Sequence, residues 1–171
     1  MRLQLRSVVP ASLALLAALL LAPGAARAQD AADVARNAYY LEVGGNALIY
    51  SINYERLLTD RIAGRVGGMF FGASGEDSSA GVLAAPIMAS YLWGEGNSRF
   101  ETGVGILLVT GGIQNVEGYE DEDFSGTVGT GTLGYRWQRP QGGFIFRAGL
   151  TPVFSLDGIG PWFGASFGYA F

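Results

Sequence analysis

From Ala38 to Phe171 large apolar side chains alternate with small or polar ones at a period of two, yet beyond residue 28 no stretch approaches the roughly 20 continuous apolar residues of a membrane-spanning helix. The chain is nonetheless 49% hydrophobic. A chain this apolar without a spanning helix can satisfy its backbone in lipid only as a closed barrel, because every N–H and C=O there must be bonded internally. The alternation resolves into eight segments of about the 9 to 11 residues that a tilted spanning strand requires. They cover residues 38–45, 47–58, 61–71, 82–93, 99–111, 126–138, 143–154 and 160–171. The expected fold class is all-β, an antiparallel eight-stranded transmembrane β-barrel of the outer-membrane kind.

The first segment has a different character. Arg2 and Arg6 precede a short apolar run from Leu13 to Leu21, and Ala26-Arg27-Ala28 supplies a small-x-small cleavage site, the pattern of an export signal. The apolar run is too short to span, and the chain has no Cys for lipidation. The domain reading is therefore a signal peptide over residues 1–28, a periplasmic tail over 29–37 and the barrel over 38–171. Cleavage after Ala28 leaves eight Arg against all fifteen Asp and Glu, with no Lys, His or Cys, a net charge of −7. Without clustered basic residues nucleic acid is excluded as a partner. Without Cys or His the usual transition-metal ligands are missing, and no cofactor is expected.

The links between segments alternate in kind. Thr59-Asp60, Gly94–Ser98 and Arg139–Gly142 are short turn formers and predict periplasmic turns. Gly72–Gly81, Gly112–Ser125 and the shorter Leu156–Gly158 predict external loops, and Gly45-Asn46 a very tight external link. Pro86 and Pro152 fall inside segments and predict bulges or rim positions, since proline cannot donate to a ladder.

The two faces separate clearly. Leu48, Tyr50, Ile52 and Tyr54 oppose Ser51, Asn53 and Glu55; Phe100, Val104, Ile106 and Leu108 oppose Glu101, Gly103 and Gly105; Phe144, Phe146 and Leu150 oppose Arg147 and Gly149. The polar and small face predicts the lumen, where eight strands leave room only for side chains. Tyr91, Trp93, Phe100, Tyr135, Trp137, Phe144 and Tyr169 fall near the periplasmic strand ends, as an interfacial girdle requires.

The alternation also points six charges inward: Glu42, Glu55, Arg65, Glu101, Arg136 and Arg147, three of each sign. They predict a polar plug in the periplasmic half of the lumen; the functional alternative is a gated ion pathway. Glu117, Glu120, Asp121, Glu122 and Asp123 make the longest external loop acidic. The plain reading is a solvated loop, and the sharper one a divalent-cation site bridging to lipopolysaccharide phosphates. Tyr119 and Phe124 flank the run as candidate contacts for a surface partner.

Tyr40-Leu41-Glu42-Val43-Gly44-Gly45-Asn46 followed by Tyr50-Ser51-Ile52-Asn53-Tyr54-Glu55-Arg56 resembles the opening hairpin of the small bacterial outer-membrane β-barrel families. Phe171 as the last residue, with Phe163, Phe167 and Tyr169 at alternate positions before it, is similar to their C-terminal assembly signal. The resemblance implies the outer membrane as location, its lipid and lipopolysaccharide as surroundings, and the barrel-insertion machinery as a partner. Members that modify lipid A use a catalytic His with Ser and a carboxylate. This chain has neither His nor Lys to serve as a general base, so catalysis is not expected. The leading functional expectation is a non-enzymatic barrel with a structural or surface-interaction role and a charge-plugged lumen. The alternatives are a small transport or ligand-binding barrel and a secreted soluble lipophile-binding barrel, the last requiring the large apolar face to turn inward.

Overall fold

The computed structural model describes residues 34–75, 78–114, 120–155 and 158–171. The strands are β1 (Asn37–Gly44), β2 (Tyr50–Leu57), β3 (Ile62–Ser74), β4 (Ser79–Trp93), β5 (Ser98–Gln114), β6 (Glu122–Gln138), β7 (Gly143–Leu150), β8 (Val153–Ser155), β9 (Gly158–Gly160) and β10 (Phe163–Ala170). Each pairs antiparallel with its neighbours, β1 pairs with β10, and the pairing of β5 with β6 closes the ring. The ten strands make eight walls. Leu150 and Phe154 both keep one register on β6, opposite Leu133 and Gly129, so β7 and β8 are one wall interrupted at Thr151-Pro152. Likewise Phe163 and Gly160 keep one register, opposite Leu150 and Val153, so β9 and β10 are one wall. The fold is the expected all-β, eight-stranded antiparallel barrel.

The predicted turns at the end that carries both termini fit, because Leu57 to Ile62, Trp93 to Ser98 and Gln138 to Gly143 are the links observed. The opposite end differs. β3 and β4 stay paired up to Ser74↔Ser79, and β5 and β6 up to Ile113↔Glu122, well into the predicted loops Gly72–Gly81 and Gly112–Ser125. Ladder bonds join backbone to backbone, so pairing continues past the apolar band regardless of side-chain polarity. Glu122 and Asp123 are thus strand residues.

The tight link after β1 is the larger departure. Gly44 and Gly45 take positive φ values of 67° and 73°, which glycine adopts without strain, and Gly45–Ala47 forms a 3-10 turn whose three residues are buried. The turn does not project outward: it packs against β2, β3, β4, β6 and β10 inside the ring. Leu48 accordingly lies in the turn, outside β2.

Pro86 is neither a bulge nor a rim residue. It lies mid-strand on the inner face, buried, with Val66↔Ile87 and Met69↔Ala84 in unbroken register on either side. The ladder to β3 lapses at Gly67-Gly68, beside a ring nitrogen with no hydrogen to give. Pro152 interrupts its wall without shifting register, and its carbonyl accepts the Gly131 N–H at 2.9 Å.

The exterior is a continuous apolar band in which Ile52, Phe70, Val104, Phe144, Phe163, Phe167 and Tyr169 are among the exposed side chains. Aromatic contacts ring the terminus-bearing end: Tyr91 with Trp93 at 4.6 Å, Tyr39 with Phe171 at 5.6 Å, Trp137 with Phe144 at 6.1 Å. Inside, two small clusters floor that end, one of Leu57, Ala63 and Leu92 and one including Ala38, Tyr40 and Ile145. A third, of Ala47, Met69, Ala84 and Leu107, occupies the other half.

The seam between β1 and β10 is closed at Tyr40↔Gly168, where a Cβ on Gly168 would stand 2.0 Å from the Tyr39 carbonyl oxygen and 2.5 Å from Tyr40 Cα. Backbone cannot yield there. Gly168→Ala is expected to destabilise the barrel by about 1–3 kcal/mol, as overpacking does. The check is a lower temperature for loss of the fast-migrating band in unboiled denaturing gels.

Candidate functional site in the barrel lumen

The inner wall between the apolar clusters is built from alternate residues of seven walls. β1 supplies Tyr40 and Glu42, β2 Ser51, Asn53 and Glu55, β3 Arg65, β5 Glu101, β6 Arg136, β7 Arg147 and β10 Ser166, and all of these are buried. Period two puts them there: each shares parity with the small or polar side chains of its strand, while the large apolar ones face outward. The six charges singled out in the sequence are therefore brought together.

Four of them form a ring of alternating sign. Arg147 Nε donates to Glu101 Oε2 at 2.9 Å, and its Nη2 also pairs with Glu101. Arg136 Nη1 stands 2.5 Å from Glu55 Oε1, a charge contact without hydrogen-bond geometry, and 3.8 Å from Glu101 Oε2. Arg147 Nη1 closes the ring at 3.8 Å from Glu55 Oε2. Arg136 Nε also donates to Gln138 Oε1 at 3.0 Å. The remaining pair, Arg65 Nη1 to Glu42 Oε1 at 3.2 Å, lies alongside.

Tyr40 joins the two groups. Its hydroxyl donates to Glu55 Oε2 at 3.2 Å and accepts from Arg65 Nη1 at 3.5 Å and from Arg147 Nη1, while its ring lies 4.9 Å below the Arg147 guanidinium. Cation–π and hydrogen-bond contacts of this kind add to the Coulomb attraction where water is excluded.

The inward 3-10 turn caps the network. Asn46 N–H donates to Glu42 Oε2 at 3.2 Å, and Asn46 Nδ2 crosses the lumen to Thr130 Oγ1 at 2.7 Å and the Gly131 carbonyl at 2.8 Å. Its Oδ1 accepts from Arg65 Nη2 and from Thr132 Oγ1. Ser51 and Ser166 hydroxyls each donate to Glu42 at 3.4 Å. Arg65 Nε, Asn53 Oδ1, Ser90 Oγ and Thr151 Oγ1 are buried without a protein partner, positions suited to bound water.

Sequence reasoning missed Tyr40 and Asn46 as members of this site. Tyr40 has the parity of Glu42, which is a usable signal; Asn46 sits in a turn whose inward direction no periodicity encodes.

The other candidates are scattered. Glu120 and Asp121 are exposed, Glu122 and Asp123 lie exposed at the start of β6, and Glu117 and Tyr119 fall outside the described residues. Among the described residues no group of three or more such side chains is placed to hold a metal ion. Phe163, Phe167, Tyr169 and Phe171 form an exposed stripe on the outer face of the closing wall.

A closed eight-walled barrel, apolar outside and filled inside by polar side chains and an inturned loop, is the class these features define. No family model and no curated relative matches the chain. Among solved structures it is similar to the N-terminal β-barrel domain of Pseudomonas aeruginosa OprF, with a TM-score of 0.57 and 16% identity over 80% of this chain and 96% of that one. It is also similar to Ail, the attachment invasion locus protein of Yersinia pestis, in complex with the heparin analogue sucrose octasulfate, with a TM-score of 0.51 and 11% identity over 80% and 94%. At such identities the likeness is one of fold.

Removing one member of a buried, neutral network strands its partner. Arg147→Ala leaves Glu101 without its closest cation and is expected to cost about 3–5 kcal/mol. Asn46→Ala breaks the two hydrogen bonds from Nδ2 across the lumen and should cost about 1–3 kcal/mol. Both are read as shifts in the urea midpoint of the folded band; an unchanged midpoint for Arg147→Ala would mean that water reaches the ring.

Proposed function

We propose that this chain is a non-enzymatic barrel of the bacterial outer membrane, with a structural or surface-interaction role and a lumen plugged by its own charges. The single observation that carries the reading is the combination of an apolar outer band with a buried inner network of three Arg and three Glu. Water would not tolerate so large an exposed apolar surface, and a soluble lipophile carrier would have the opposite arrangement. Beside Glu42, Glu101 and Arg147 the polar cavity measures about 10 Å³, room for a single water at most, which supports the plugged reading.

Residues 1–28 serve in this reading as the export signal, with Gln29 the first residue after cleavage. The stripe of Phe163, Phe167, Tyr169 and Phe171 serves as the strand presented to the insertion machinery, and its support is that all four side chains are exposed beside the closing seam. Ail is seen with a polyanionic ligand. The outer segments of this chain carry no Lys or Arg between Arg65 and Arg99, between Arg99 and Arg136, or after Arg147, so a neutral or cationic surface partner suits them better.

Expression of the full chain in a Gram-negative host should give a band in the outer-membrane fraction that migrates faster unboiled than boiled, with Gln29 at its N-terminus. Planar bilayers should show negligible conductance. Phe171→Ala should reduce the outer-membrane level several-fold without altering the migration of what is inserted. A soluble periplasmic product, or a reproducible conductance, would refute location or plug respectively.

A further inference from the structure

At the end that carries the termini the lumen opens into a cavity of about 240 Å³. The turns after β2, β4 and β6 surround it, through Asp60, Asn97 and Pro140. The lead into β1 closes its side, where the Ala35 N–H donates to the Pro140 carbonyl at 2.7 Å. Arg99 of β5 and Arg136 and Gln138 of β6 line it from the inner face of their strands.

The wall of this cavity carries an unanswered positive charge. Arg99, Arg136 and Arg147 stand directly opposite one another across β5, β6 and β7, a placement in which like charges repel. Deeper in the lumen that row is answered, Arg147 by Glu101 and Arg136 by Glu55. Around the mouth, Arg36 pairs with Asp60 at 3.5 Å and Arg61 with Glu95 at 3.8 Å. Arg99, half-buried, has no carboxylate partner among the described residues. Its Nη1 donates to the Asp60 carbonyl at 2.9 Å and its Nε to the Gly96 carbonyl at 3.3 Å. Two neutral acceptors thus hold the guanidinium in place and leave Nη2 unused.

Neutral donors stand beside it. Gln138 Oε1 accepts from Arg136 Nε at 3.0 Å, so the Nε2 end of that amide is turned away from the arginine. The Asn97 carbonyl accepts the Gln138 N–H at 2.8 Å, which keeps the two amide side chains on adjoining turns of the lining. Val34, Leu57 and Pro140 add apolar lining. Arg139 stands at the edge, its guanidinium 5.7 Å from the Trp137 ring centroid, and raises the positive potential of the mouth.

A guanidinium flanked by amide donors is the chemistry that holds a carboxylate. One unmatched inward charge calls for one negative charge, and the apolar lining calls for a ligand with some apolar body. By volume the cavity takes on the order of ten non-hydrogen atoms, since roughly 150 Å³ accommodates benzene.

We infer that this mouth of the lumen is a binding site for a small monocarboxylate with a short apolar body, of the kind presented by the C-terminal residue of a peptide. The carboxylate meets Arg99 Nη2 and the Asn97 and Gln138 amides, and the apolar part rests against Val34, Leu57 and Pro140.

The test follows the backbone amide signals of the folded, isotope-labelled protein in nanodiscs of zwitterionic lipid during titration with N-acetylalanine, its neutral primary amide and inorganic phosphate. Saturable shifts at Asn97, Arg99 and Gln138 are expected with N-acetylalanine, with the neutral amide and phosphate each weaker by on the order of tenfold. Arg99→Gln should weaken N-acetylalanine by about the same factor, and Asn97→Ala, in an exposed turn, by about threefold. The heat-modifiable band shows which variants have folded. Absence of saturable shifts at these residues, equal affinity for the neutral amide, tighter binding of phosphate, or affinity unchanged in a folded variant would overturn the inference. So would binding that appears only after Asp30→Asn and Asp33→Asn, which would mean that the chain's own carboxylates hold the site. The titration is independent of which way the mouth faces, so an error of location is distinguishable from an error about the site.

Discussion

A β-strand in lipid cannot leave an edge unpaired, because each orphaned N–H or C=O there costs several kcal/mol. That requirement is met at two places, the β1–β10 seam and the β5–β6 pairing, and the rest of the molecule follows from it. Closing eight walls fixes a bore wide enough for side chains and no wider. Whatever points inward must then meet something from the far wall. Glycines are spent where backbone already fills the space, as at Gly164, where a Cβ would stand 2.6 Å from Gly45 Cα in the inturned loop.

Within that bore, charge is an unusual filling. A well-packed apolar core is generally as stable as a buried ion network or more so, and the network's distinctive property is that it fits only one arrangement. Slipping any wall by one residue would turn Glu55 or Arg147 toward the apolar exterior and break the alternation of sign around the ring. The apolar clusters that bound the network at either end have no such demand. They exclude water, and exclusion is what gives Glu101, Arg136 and Arg147 their mutual hold.

How much of this was legible depended on how local each cause is. The turns at Thr59-Asp60, Gly94–Ser98 and Arg139–Gly142 are set by residues that bend the chain wherever they occur, and they fell where expected. The inward charges were legible because each alternates with a large apolar neighbour. Tyr40 was overlooked because sorting by hydropathy assigns a tyrosine outward, although parity with Glu42 places it inside. The apolar half of the lumen was illegible for a sharper reason: Val82, Leu83, Ala84 and Ala85, like Ile106, Leu107, Leu108 and Val109, are apolar on both faces, so the contrast that reveals a face disappears. The inturned loop and the tolerance of Pro86 both depend on residues distant in sequence, Thr130 and Gly131 for the first and the Gly67-Gly68 lapse for the second.

The seam also imposes an order in time. Glu42 meets Ser166 across it, and Tyr40 meets Arg147 from one wall further, so the first hairpin carries polar groups with partners more than a hundred residues later. A half-built sheet would present those groups to water, fully hydrated and with no reason to leave it. Dehydration of the whole set therefore coincides with the meeting of the first and last walls, and intermediates lacking the final strand have no dry interior in which to linger. Because Ser166 and Arg147 reach Glu42 and Tyr40 by way of the β1–β10 seam, the burial of those two side chains depends on that pairing.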